Sequence, residues 1–130
     1  LLNLKFSKSK KITKLHLDFR FNIHAKRIIC PSDVFYHVGF IFENDKVDVY
    51  SDFYLRSKDN SLNRSKAKSI AKILEGTEYK CEPVGNDHYR VIARKRLTSF
   101  DNIKINDIAK WLKTQVAIVK SKEVAINNVI

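Results

Sequence analysis

Asp33, Glu43, Asp45 and Lys46 are the residues whose types and order come nearest to a reactive centre in this chain. Two or three carboxylates converging on Mg²⁺, with a lysine beside the attacking water, are what metal-dependent phosphodiester cleavage needs. Asp33 follows Pro31 closely, and Glu43 to Lys46 imitate the acid-x-lysine order that follows in such sites. The second half departs from the pattern, because Glu43-Asn44-Asp45 has aspartate where lysine is wanted. Asp48 and Asp52 share one strand face beside a turn, a place where carboxylates more often solubilise than catalyse. A Mg²⁺-dependent nuclease is therefore an alternative reading, and Mg²⁺ is a cofactor only under it. The leading reading has no catalytic residue and no cofactor.

Four histidines, His16, His24, His37 and His88, are available as bases, but no Gly-x-Ser-x-Gly elbow or Cys/His signature accompanies them. His16 and His24 lie on one strand some 26 Å apart at the usual rise, too far to share a metal. His37 falls inside an apolar strand and reads as a hydrogen-bonded core histidine. Cys30 and Cys81 form no CxxC pair, so neither a zinc site nor a disulfide framework is expected. With 3 glycines in total, no Walker or dinucleotide loop can be written.

What stands out is charge: 25 Lys and Arg against 14 Asp and Glu leave a formal net charge of +11. Such a surplus favours polyanions, because each cation placed on a phosphate releases a condensed counterion. A lysine-rich coat that merely solubilises a protein–protein module is the competing explanation. Spacing selects the groups for the first view. Arg64, Lys68 and Lys72 recur at i, i+4 and i+8 on one helix face, while Arg90, Arg94 and Arg96 share one strand face. These six are the expected phosphate contacts, converging into one positive field, with the planar guanidinium fork suited to such oxygens. Tyr36, Tyr50, Tyr54 and Tyr89 are either stacking platforms for unpaired bases or ordinary strand packing.

Positioning these residues calls for alternating strands and single helices. Leu15 to Ile23 alternates apolar and polar residues without a break. Val34–Phe42 and Val47–Leu55 form a hairpin about a polar turn, the first strand covered on both faces and the second wet on its Asp48 side. A helix carries Leu62, Ala67, Ile70 and Leu74 towards Gly76, and strands Tyr79–Val84 and His88–Leu97 flank Gly85-Asn86-Asp87. A last helix begins at Asp101 or Asn106, with Ile108, Trp111, Leu112, Val116 and Val119 as its apolar stripe. The order β-ββ-α-ββ-α predicts an α+β fold: an antiparallel sheet of about five strands with two helices packed on it. Residues 1–14 read as a basic arm or linker and 15–130 as one domain, a fragment of a longer protein since no initiator methionine is present. No apolar run reaches membrane-spanning length, and the setting expected is cytoplasmic or otherwise intracellular.

From about Phe35 onwards the order of elements resembles a bacterial and archaeal domain of unknown function often found at the C-terminal end of restriction-endonuclease-like proteins. The residues that carry the likeness are Lys46-Val47-Asp48-Val49-Tyr50 ending the hairpin, the helix after Asp59-Asn60, the Glu82-Pro83 strand, the arginine-bearing strand and Trp111-Leu112. The middle helix is basic here where the family's is acidic, and Cys81 stands in place of an aromatic. The resemblance implies an accessory module of a DNA-processing or restriction-modification system, attached to a longer polypeptide or a partner protein, and it supplies no catalytic residues. DNA is accordingly the expected ligand ahead of RNA.

Overall fold

The computed structural model describes residues 2–8, 14–21, 34–43, 46–97 and 105–130, with side chains described from Val34 onwards except at Phe42 and Glu43. The strands are β1 (Leu2–Lys8), β2 (Lys14–Phe21), β3 (Val34–Glu43), β4 (Lys46–Leu55), β5 (Lys80–Val84) and β6 (His88–Leu97). The helices are α1 (Asn60–Ile73), α2 (Ile105–Ser121) and α3 (Glu123–Asn127). All strands join one antiparallel sheet in the order β1-β2-β3-β4-β6-β5. The α+β class is as expected. Within the stretch anticipated as an arm, Leu2–Lys8 forms a sixth strand paired with β2.

Local chemistry sets the element ends. Asp59 caps α1 by accepting the Leu62 N–H at 3.1 Å, and Gly76 follows the helix with φ +82°. Gly85 turns the β5–β6 hairpin at φ +61°, a backbone state that few side chains tolerate. Because β6 returns between β4 and β5, the connection through α1 carries the chain past one strand position to the end of the sheet.

The main core lies on one face. Val34, Tyr36, Val38, Phe53, Leu55, Val91 and Ala93 from the strands meet Ala67, Ile70 and Leu74 of α1, Val119 of α2 and Ile126 of α3. The hairpin strands depart from expectation. It is β4 that is buried on both faces, including Asp48 at 8% exposure and Asp52 at 3%. It lies between two ten-residue strands, and partners on those strands satisfy its carboxylates, Arg96 at Asp48 and His37 at Asp52. On the second face Ile41, Tyr50 and Ile92 make a small apolar cluster of their own.

The stripe expected for α2 is buried at Ile108 and Val119, and it also takes in Gln115, whose Oε1 has no hydrogen-bond partner among the described residues. An unpaired buried carbonyl costs about 1–3 kcal/mol in lost hydration. Gln115→Leu is expected to raise stability by about 1 kcal/mol, read as a higher urea midpoint at unchanged slope; a lower midpoint counts against this account.

Candidate functional site

The period of two along a strand divides β6 cleanly. Val91 and Ala93 enter the helix-covered core, so His88, Arg90, Ile92, Arg94 and Arg96 belong to the opposite face, called here the arginine face. The same alternation and register bring Phe35 and His37 of β3, Asp48, Asp52 and Tyr54 of β4, and Lys80 and Glu82 of β5 to that face. α1 lies on the other side, and there Arg64, Lys68 and Lys72 are exposed. The six expected phosphate contacts thus do not converge. They form two basic groups separated by the sheet, because α1 packs through Ala67, Ile70 and Leu74 onto the face that the arginines leave.

Carboxylates accompany the strand arginines. Glu82 Oε1 accepts from Arg90 Nε and from an Arg94 terminal nitrogen, each at 2.5 Å. Arg96 grips Asp48 with two nitrogens, the second at 3.0 Å from Oδ2. One carboxylate shared by two guanidinium groups leaves excess positive charge. Arg94 and Arg96 keep 38% and 52% of their side-chain surface in solvent, and exposed Lys46 and Lys80 lie on the same face.

Beside the arginines runs a row of rings that the sequence reading did not assemble. Arg56 sits over Phe35 at 4.3 Å from the ring centre, and Phe35 stacks on His37 at 5.7 Å. The Tyr54 ring centre lies 6.3 Å from that of His37 and 5.6 Å from that of His88. His37 Nδ1 is 3.1 Å from Asp52 Oδ1, and Tyr54 Oη is 2.9 Å from His88 Nδ1. An ionised carboxylate only accepts, so His37 donates its Nδ1 proton to Asp52 Oδ1. Burial raises the Tyr54 phenol above its ordinary pKa, and the Asp52 charge adds to this, so its hydroxyl stays protonated. His37 is thus hydrogen-bonded, as expected, though half-buried on the arginine face rather than in the main core. The β3–β4 register places residue 37 opposite 52, so this pair was available from the hairpin read in the sequence.

Of the other tyrosines, Tyr36 and Tyr50 are buried in the two apolar clusters and Tyr89 packs against the main core; Tyr54 alone of the four lies half-open on the arginine face. Asp33 and Asp45 lie outside the described residues, and Glu43 and exposed Lys46 face each other where the β3–β4 ladder ends. Among the described residues no three of His, Cys, Asp and Glu are grouped to hold a metal ion. No described helix is long and apolar enough to cross a membrane. No protein-family model, curated protein or solved structure matches this chain.

Proposed function

We propose that this chain is a nucleic-acid-binding module whose contact surface is the arginine face of its sheet. The observation that carries the reading is the pairing of Arg90 and Arg94 on the single carboxylate of Glu82, next to the half-open rings of Phe35, Tyr54 and His88. A phosphate oxygen can replace the shared carboxylate at either guanidinium, and the rings offer flat surfaces to unpaired bases. Arg64, Lys68 and Lys72 make a second, weaker basic surface across the sheet. By the resemblance from Phe35 onwards, such a module serves as an accessory part of a DNA-processing protein.

Fluorescence anisotropy with single-stranded DNA, single-stranded RNA and duplex DNA tests this. Affinity is expected to fall about tenfold or more between 50 and 200 mM salt. Arg94→Glu is expected to weaken binding about tenfold, and Arg96→Gln, which leaves Asp48 a donor, by less. Reversing Arg64, Lys68 and Lys72 together should change affinity no more than about threefold. Salt-independent affinity, or full affinity in Arg94→Glu, overturns the reading.

A further inference from the structure

Glu82 sits among cations. Arg90 faces it directly across the β5–β6 ladder, Arg94 reaches back to it from further along β6, and exposed Lys80 is registered opposite Ile92, between those two arginines. Both guanidinium groups converge on the same oxygen, Oε1, at 2.5 Å. Arg90, Arg94 and Glu82 keep only 18%, 38% and 32% of their side-chain surface in solvent, so water and salt screen them less than an open surface pair. Arg90 is also registered opposite Tyr54, which puts Tyr54, Arg90 and Glu82 in one line across β4, β6 and β5. The sheet ends there, at β5.

The carboxylate already in place decides what can replace it. An internal phosphodiester carries one negative charge, as Glu82 does, so exchanging one for the other gains little Coulomb energy at the two guanidinium groups. A phosphate at the end of a strand carries about −1.5 to −2 at neutral pH and offers three unesterified oxygens, so it gains where the diester does not. We propose that Arg90, Arg94 and Lys80 recognise the phosphorylated end of a single strand of nucleic acid, a phosphomonoester dianion, while Glu82 holds the place against internal phosphates. The proposal rests on the nucleic-acid reading above. The terminal nucleotide lies along the line of the three strands, base towards Tyr54 and phosphate towards Glu82. Its phosphate displaces the Glu82 carboxylate from both arginines, and Lys80 answers the second charge.

The test is fluorescence anisotropy of the full chain with one internally labelled single-stranded oligonucleotide, prepared with two hydroxyl ends, a 5′-phosphate, a 3′-phosphate, or either phosphate blocked as its methyl ester. A phosphate at one end is expected to tighten binding about tenfold over hydroxyl ends, and the end that does so gives the polarity of the bound strand. Its methyl ester, which keeps the phosphorus and its oxygens but only one charge, is expected to bind within about twofold of the hydroxyl form. Lys80→Gln is expected to reduce the preference to about threefold while changing affinity for the hydroxyl form less than about twofold. Glu82→Gln is expected to tighten the hydroxyl form about fivefold, because internal phosphates then reach the freed arginines. Equal affinity for all end forms overturns this inference and leaves the binding module standing, whereas absence of binding to any of them overturns both. Weaker binding of every form by Glu82→Gln also overturns it, since the carboxylate would then order the arginines instead of standing where the ligand goes.

Discussion

Asn63→Ala is expected to destabilise the protein by about 3 kcal/mol, lowering Tm by about 10 °C in a domain of this size. Asn63 is 1% exposed and carries no functional suspicion, yet its amide closes three backbone gaps. Its Oδ1 accepts the Ser57 N–H at 2.8 Å, and its Nδ2 donates to the Ser57 carbonyl at 2.8 Å and to the Asp87 carbonyl at 2.9 Å. It therefore ties the β4–α1 connection to the β5–β6 turn, segments that share no ladder. Alanine leaves one donor and two acceptors with only partial access to water. Asn63→Asp is the sharper control: it keeps the acceptor but turns a carboxylate on two carbonyl oxygens, and it should cost more than alanine at neutral pH. Thermal melting checks the magnitude, and hydrogen exchange should show faster exchange near Ser57 and Asp87. A loss under 1 kcal/mol for alanine would mean that the two segments hold each other by other means.

Alkaline pH should act as strongly on a different buried network. Tyr36 Oη and Tyr79 Oη each lie 2.7 Å from Ser51 Oγ, forming a chain of three hydroxyls inside the main core. Burial is the chief reason that both phenols titrate above their ordinary value; at Tyr79 the neighbouring Tyr36 adds to it. In the unfolded chain these phenols lose protons from about pH 10, while the folded protein retains them. Their contribution to stability is thus complete below pH 10 and is lost as pH rises towards the folded values. Each contributes a slope that starts at half of about 1.4 kcal/mol per pH unit at pH 10 and approaches that value above it, so the pair should remove about 2 kcal/mol between pH 10 and 11. Urea unfolding at pH 9, 10 and 11 measures this. Tyr79→Phe should halve the slope while weakening the protein at neutral pH by about 1 kcal/mol for the lost hydrogen bond. An unchanged slope in that variant would assign the alkaline sensitivity to other groups.

How far the fold was legible follows from where its signals were local. The β5–β6 hairpin was written in Gly85-Asn86-Asp87, and its second strand begins and ends as read, at His88 and Leu97. The helix before it was announced by Asp59 and closed by Gly76. β1 was missed although Leu2, Leu4 and Phe6 alternate with Asn3, Lys5 and Ser7, because the lysines that follow read as a solvated arm. The short α3, which follows α2 after Lys122, was not read as a helix.

The sequence by itself determined which residues share a strand or helix face, since periods of 2.0 and 3.6 are local geometry. From this came the arginine triplet on β6, the cationic stripe on α1 and the α+β class. Only the tertiary structure decided that the triplet and the stripe sit on opposite sides of one sheet, that β4 rather than β3 is buried on both faces, and that Asp48 and Asp52 each meet a base. Which face a helix covers depends on the summed burial of every strand beneath it, a property no single segment carries. The Tyr54–His88 pair arose in the same way, from strands distant along the chain, whereas His37 and Asp52 meet within one hairpin.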